Sequence, residues 1–264
     1  MPEGHTIHRT ARDHARTLAG GPVRVTSPQG RFAAGAATLD GAFLRGIDAW
    51  GKHLFYRFEP DLTLHVHLGL YGKFWPWTPP PAATHRQVRL RLEGKAHGYD
   101  LTGPTACELL DPAAADAIVA RLGPDPLRRD ADGTTVWPRL ARRRGPIGVA
   151  LMDQSCVAGV GNVYRAEALW VHGIHPERPC ATLRAEEWSA LWATLVTMLR
   201  TGLREGRIAT VRPGDAVPDG RTRWVYKQER CARCGSTVRR WDLAGRWAYA
   251  CETCQPPWPG CARP

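Results

Sequence analysis

Apolar residues at the start of the chain recur at helical spacing. Ile7, Ala11, Ala15 and Leu18 share one face, and Gly20 and Gly21 follow. This predicts a helix over residues 6–18 with a glycine stop. Between residues 23 and 110 the texture changes to short β-rich runs at 54–58, 62–68 and 88–92, separated by Gly, Pro and Asp. Such runs predict an all-β layer, a sandwich. Residues 78–81 are a proline-rich loop. Residues 109–122 predict a helix with Asp111 as N-cap and Pro112 at its first position. Residues 123–136 have the Pro, Gly, Asp and Arg content of a linker. Helical texture returns over 137–203, where Trp188, Leu191, Trp192, Leu195 and Leu199 form a stripe. Residues 206–220 read as an irregular loop, 230–254 as a hairpin and 256–264 as a disordered tail. No internal repeat is visible.

At 264 residues the chain is long enough for about two domains. Its net charge of +11 comes almost wholly from arginine, since Lys52, Lys73, Lys95 and Lys227 are its four lysines. An arginine-rich surface favours phosphate as partner, although a compositional bias toward Arg, Ala, Gly and Pro gives the same excess. No apolar run approaches the ~18–20 residues of a membrane span, and the start lacks a signal-peptide pattern. The expectation is a soluble cytoplasmic protein without a membrane partner. Eight cysteines in such a chain point to metal or free thiols rather than disulfides.

The chemistry begins at Met1-Pro2-Glu3-Gly4. Proline is small enough for the initiator to be clipped, which makes Pro2 a secondary amine terminus. Condensed with a sugar aldehyde carbon, that amine gives only a cationic iminium, an electron sink, and the Glu3 carboxylic acid stands beside it as proton donor. An α-amino group titrates near ~7.7–8.0 and lysine near ~10.4, so about a quarter or more of the terminal amine is neutral at about pH 7.5. Most chains that begin Met-Pro make no use of the proline, so its weight comes from the company it keeps.

Cys231 and Cys234 are followed after sixteen residues by Cys251 and Cys254. Two such pairs at hairpin separation predict a tetrahedral four-thiolate zinc site, structural because no coordination position stays open. The tip of this hairpin carries Arg246. Cys107, Cys156, Cys180 and Cys261 have no comparable spacing and read as ordinary thiols. Residues 151–154 begin like a helix, run into Val157-Ala158-Gly159-Val160-Gly161-Asn162, and helical texture resumes at Val163. Gly159 and Gly161 let a partner approach, and the N–H groups opening the next helix, with the Asn162 amide, suit a phosphate. A turn that merely packs a helical bundle fits the same residues. His65 and His67 alternate on a strand without an evident third metal ligand, and Trp75 and Trp77 suit packing under a loop. Arg142, Arg143 and Arg144 fit a solvated face or a backbone contact.

The ordered set Pro2-Glu3-Gly4, Gly51-Lys52-His53-Leu54, Ala158-Gly159-Val160-Gly161-Asn162-Val163-Tyr164, Gly245-Arg246 and the four cysteines resembles the formamidopyrimidine-DNA glycosylase / endonuclease VIII family. It is most similar to the endonuclease VIII arm in its actinobacterial form. The resemblance implies an α+β multidomain fold. Residues 1–122 would be a catalytic β-sandwich domain with flanking helices and 123–136 a linker. Residues 137–206 would be a helical helix–two-turns–helix DNA-binding domain, and 207–264 a loop, a four-cysteine zinc-finger hairpin and a tail. It implies a monomeric base-excision repair enzyme of the bacterial nucleoid, with damaged double-stranded DNA in the cleft between domains.

By the same resemblance Pro2 matches the nucleophile that attacks C1′, and Glu3 the acid that opens the sugar ring. Lys52 matches a phosphate-contacting lysine that assists catalysis. Asn162 and Arg246 match the pair that grips phosphates around the flipped nucleotide. Glu167 matches an acidic residue behind the amino terminus, and Leu70 and Tyr71 match side chains inserted where the base leaves. The pattern departs at His5-Thr6, where the family continues with Pro-Glu, and at Gly69, where the best-known endonuclease VIII has glutamine. An Arg-Phe-Gly wedge is not visible around Leu101-Thr102-Gly103-Pro104, and the loop over residues 212–223 is short. Both features point to oxidised pyrimidines rather than 8-oxoguanine. A non-catalytic damaged-DNA binder on the same scaffold, and a zinc-ribbon nucleic-acid protein without damage specificity, are the rival readings.

Overall fold

The computed structural model describes residues 2–80, 87–211, 214, 215, 217 and 220–259. Met1, Pro81 of the proline-rich loop, Arg212 and the end of the tail with Cys261 lie outside the described residues. The chain divides into two compact units, Met1–Arg121 and Leu122–Pro264.

The first unit opens with α1, Gly4–Leu18. The helix starts two residues before the periodic pattern. Glu3 holds an extended backbone, and its carbonyl accepts from the Thr6 and Ile7 amides at 2.9 and 3.3 Å. Strands β1 (Gly21–Pro22) and β2 (Arg24–Thr26) lead to a short helix, α2 (Ala33–Leu39), which the sequence reading passed over. Then follow β3 (Phe43–Trp50), β4 (His53–Phe58), β5 (Leu62–His67), β6 (Lys73–Trp77), β7 (Val88–Glu93), β8 (Gly98–Thr102), β9 (Ala106–Leu110) and α3 (Pro112–Ala120).

The strands make a five-stranded sheet, β1-β3-β4-β5-β9, and a four-stranded sheet, β2-β7-β8-β6. Alternation decides which side chains meet. Leu54, Tyr56 and Phe58 of β4 and Leu64 and Val66 of β5 share one core with Leu90, Leu92 and Leu101 of the other sheet and Ile7, Ala11 and Leu18 of α1. Each large side chain buried there contributes roughly 1.5–3 kcal/mol. This is the expected sandwich with its helix. On the opposite face of β4, Phe55 packs against Ala115 and Ile118 of α3. That helix starts as its sequence predicts, with the Asp111 carboxylate accepting from the Ala114 amide at 2.7 Å and Pro112 in the first turn.

The second unit contains α4 (Trp137–Leu140), α5 (Ile147–Ala150), α6 (Asn162–Val171), α7 (Ala185–Glu205) and the hairpin strands β10 (Arg239–Asp242) and β11 (Trp247–Ala250). Residues 151–154 form a turn rather than the start of a helix. The Asp153 carboxylate accepts from the Ser155 amide and hydroxyl at 3.0 and 2.7 Å, a local bond that competes with the helical ladder. In α6 every residue from Asn162 to Trp170 is buried. The α7 stripe shares its core through Trp188, Leu191, Leu195 and Leu199, with Trp192 half-buried at the margin. No helix among the described residues is long and apolar enough to cross a membrane.

Candidate nucleic-acid site

In the first unit, Pro2 and Glu3 directly precede α1, and the Glu3 side chain is fully buried. The first turn of α1 carries no acidic residue, and the carboxyl nearest the positive end of its dipole is that of Glu3, its N-cap residue. Such an end disfavours an ammonium and favours an anion. His5 is also buried, and burial, reinforced by the positive terminus and Arg9, holds its imidazole down to about 4. The residue standing where the family has proline is therefore neutral at physiological pH.

Lys52 occupies the two-residue turn between β3 and β4, where Trp50 pairs with His53. Gly51 takes φ 58° as the first central residue, a position that type II′ hairpins reserve for glycine. The turn thus fixes the direction in which the lysine leaves the sheet, and α1 packs across both strands of this hairpin.

Leu70 and Tyr71 sit in the tight connection between β5 and β6, 48 % and 86 % exposed. Their loop is rigidly built. The Gly72 amide donates to the Leu68 carbonyl at 2.9 Å, and the Thr105 amide donates to the His67 carbonyl at 2.9 Å. Gly69 adopts φ 64°, and a Cβ there would lie 1.9 Å from Thr105 Oγ1. A glutamine does not fit this backbone, so the departure at Gly69 is a property of the loop. Trp77 and Trp75 serve the sandwich edge: Trp77 donates to Asp100 at 3.1 Å under Arg91, and Trp75 donates to Thr102 at 3.1 Å under the Lys73 ammonium.

In the second unit the glycine turn is held by Gln154. Its carbonyl oxygen accepts from the Gly159 amide at 3.0 Å, and its amide donates to the Met152 and Val160 carbonyls at 3.0 Å each. Gly159 takes φ 87°, and Gly161 is the N-cap of α6. The Asn162 amide donates to the Trp247 carbonyl of β11 at 3.0 Å, and Arg165, itself buried, donates to the same carbonyl at 2.7 Å and to Asn162 Oδ1. Trp247 follows Arg246, so the start of α6 and the hairpin tip are stitched together. The tip turns through Ala244 (φ 54°) and Gly245 (φ 75°), the pair of positive φ angles of a type I′ turn, which leaves Arg246 exposed.

Glu167 is an anchor within the second unit. Fully buried, its carboxylate accepts from the Trp224, Val225 and Tyr226 amides at 2.7, 2.9 and 2.7 Å and from the Thr210 hydroxyl. It anchors the segment that leads into the cysteine hairpin. Within the arginine triplet, Arg143 pairs with Asp153 at 2.9 Å, while Arg142 and Arg144 are exposed.

The Sγ atoms of Cys231, Cys234, Cys251 and Cys254 all lie within 4.8 Å of one another. Separations of 3.9, 3.5 and 3.6 Å match the edge of about 3.8 Å that a tetrahedral thiolate cage requires. Cys107, Cys156 and Cys180 form no disulfide; burial pushes the Cys107 thiol up to about 12 and that of Cys180 up to about 11.

Residues 1–103 match the formamidopyrimidine-DNA glycosylase N-terminal domain, and residues 122–212 the formamidopyrimidine-DNA glycosylase H2TH domain. The chain is 48 % identical to endonuclease 8 1 of Mycobacterium tuberculosis, over 97 % of its own length and all of that protein. The chain belongs to the formamidopyrimidine-DNA glycosylase / endonuclease VIII family. Its identity to the formamidopyrimidine-DNA glycosylase of Thermosynechococcus vestitus is 36 %, covering 80 % of each chain. The family fold is equally plain in solved structures. Lactococcus lactis Fpg in complex with abasic-site DNA matches with a TM-score of 0.80 at 21 % identity, and MutM in complex with DNA containing carbocyclic 8-oxo-G with 0.82 at 23 %, each over 97 % of this chain and 100 % of the other.

Two residues essential to this geometry, Gln154 and Arg165, escaped the sequence reading. Gln154 stood in a segment read as helix. Arg165 lies on a helix whose other residues are mostly apolar, and an arginine in such a setting was the available signal.

Proposed function

We propose that the chain is a bifunctional DNA glycosylase and AP lyase of base-excision repair that works through Pro2. The observation carrying this reading is the Pro2-Glu3 pair immediately ahead of the positive end of α1, in a member of this family. Once Met1 is removed, the Pro2 nitrogen attacks C1′ of the damaged nucleotide while the buried Glu3 carboxyl donates a proton to the ring oxygen. The C1′–O4′ ring bond and the C1′–base bond both break, the base leaves with the proton given up by the Pro2 amine, and a Pro2–C1′ iminium of the opened sugar remains. That cation acidifies the 2′ position; loss of a 2′ proton expels the 3′ phosphate, and a second elimination can release the 5′ phosphate. The α1 dipole supports the first step by favouring the neutral amine.

Flipping the target costs a few kcal/mol of unstacking, and the exposed Leu70 and Tyr71 suit an apolar wedge that fills the gap. Lys52, Arg246 and the N-terminus of α6 with Gly159, Gly161 and Asn162 supply contacts to phosphates. One Asn162 amide hydrogen is engaged by Trp247, and the group carries a second for a phosphate oxygen. The four cysteines hold zinc, which fixes the hairpin and takes no part in the reaction. Oxidised pyrimidines are the substrate class that this reading favours.

A lesion panel tests it, with duplexes bearing thymine glycol, 8-oxoguanine or an abasic site, and wild type beside Pro2→Gly. Strand cleavage at thymine glycol, with 3′ ends characteristic of elimination and loss of cleavage in Pro2→Gly, supports the reading. Binding to every lesion duplex without cleavage supports the non-catalytic binder.

A further inference from the structure

The second unit has an open cleft of about 430 Å³ that shares no residue with the glycine turn, the start of α6 or the cysteine hairpin. Its walls are the single 3₁₀ turn Gly133–Val136 with its flanking residues and the first two turns of α7. Trp137, Trp188 and Trp192 line it, and the charged residues beside them are Asp132 and Glu186. No lysine, arginine or histidine lines it. In a chain of net charge +11 this is a reversal of the prevailing surface.

The cleft is held in shape by one glycine. Trp188 is buried, and its indole N–H donates to the Gly133 carbonyl at 2.8 Å. Trp192 is half-buried, with its ring 6.0 Å from that of Trp188 and tilted by 48°. A Cβ at Gly133 would lie 2.4 Å from Trp192 Cδ2, so only glycine lets this backbone lie against the indole. The Asp132 carboxylate accepts from the Thr134 hydroxyl at 2.6 Å and the Thr134 amide at 2.8 Å, bonds that hold its carboxyl below the usual carboxylate range. Glu186 is exposed in the first turn of α7. Arg184 and Arg178, the cations that precede it in the chain, pair with Glu187 instead.

Indole faces attract cations through the ring quadrupole. Two carboxylates beside the rings strengthen that attraction, and the same charges repel nucleic acid. The apolar indole surface also suits the methylene stem of a long basic side chain. The volume falls within the ~300–1,000 Å³ of ligand clefts, more than a lone cationic head group fills, so neighbouring residues of the same segment enter with it. We propose that this cleft docks a lysine or arginine side chain from a basic segment of a partner protein, with the cation against the Trp137 and Trp192 rings and facing Asp132 and Glu186. The charge complementarity of an acidic, aromatic cleft on a basic protein carries the choice of partner. The proposal is independent of the DNA-repair reading.

Indole N–H resonances of the full, zinc-loaded chain test this. The probes are acetylated, amidated pentapeptides carrying one arginine or one lysine among glycines, with norleucine and glutamate counterparts as controls. The Trp137 and Trp192 signals should shift with the arginine and lysine peptides, with a Kd of about 1 mM, and stay in place with the controls. Trp192→Leu should weaken the arginine peptide about 2- to 30-fold. Glu186→Arg, at an exposed position with little bearing on folding, should weaken it about tenfold or more. The unshifted indole signals of the rest of the chain report that each variant is folded. No shift with either cationic peptide, equal shifts with norleucine, or an affinity that Glu186→Arg leaves unchanged overturns the docking site. None of these outcomes touches the repair reading, whose tests use DNA.

Discussion

Replacing Glu167 by glutamine separates the anchor seen in the structure from the tuning role implied by resemblance. One carboxylate oxygen accepts from the Val225 and Tyr226 amides and the other from the Trp224 amide and the Thr210 hydroxyl. A glutamine carbonyl can retain the first pair. Its NH2 then faces the Trp224 N–H, donor against donor, in a place with no solvent access; the Thr210 hydroxyl can rotate and accept. Losing a bond to a charged acceptor costs about 1.5–3 kcal/mol and leaving a buried N–H without an acceptor about 1–3 kcal/mol, together about 3–5 kcal/mol of local stability. Hydrogen exchange reads this directly. Amides of residues 224–226 should lose protection by roughly two to four orders of magnitude, while those of the sandwich core stay unchanged. If exchange at these residues stays within threefold of wild type and only the rate of strand cleavage falls, Glu167 acts on the amine and the anchoring argument is wrong.

Gly69→Gln should lower the thermal midpoint and disorder the Leu70 loop, since φ 64° and a Cβ 1.9 Å from Thr105 Oγ1 cannot both be kept; unchanged melting contradicts the account of that departure. His14, buried, bonded to the Tyr56 hydroxyl at 2.8 Å and held by burial at about 3, binds its proton more weakly folded than unfolded. Its contribution is complete above the unfolded value near ~6.5 and is lost as pH falls toward 3, about 2 kcal/mol by pH 5. Denaturant titrations at pH 7 and 5 should show a smaller drop for His14→Gln than for wild type. Stripping zinc with a chelator should release about one ion per chain and weaken duplex binding tenfold or more, because the hairpin it fixes supplies the Trp247 carbonyl to Asn162 and Arg165; metal analysis and binding titrations check both.

Much of this architecture is legible in the chain because local rules and packing agree. Ile7, Ala11 and Leu18 repeat at the helical period and are all buried in α1. Asp111-Pro112 caps α3 as written, and the four cysteines converge as their spacing requires. The reading fails where side chains bond to distant or competing partners. Asp153 diverts a helical-looking segment into a turn, and no local pattern announces it. Arg165 gains its meaning from a carbonyl 82 residues away. His65 and His67 read as an alternating strand pair without a third metal ligand, and Glu108, the partner that His65 bonds, lies 43 positions further along the chain. For Pro2, Lys52, Asn162 and Arg246 the motifs pointed to the residues; the backbone turns that aim Lys52 and Arg246 are visible only in the fold.

The central claim is that the Pro2 nitrogen is the nucleophile. Borohydride reduction during reaction of the Met1-free protein with an abasic or thymine-glycol duplex should yield a covalent protein–DNA adduct, and peptide mass spectrometry should place the sugar on residue 2. Pro2→Gly should trap far less. An adduct located on Lys52 or another lysine, or none at all with a protein that binds the duplex and has lost Met1, would contradict it.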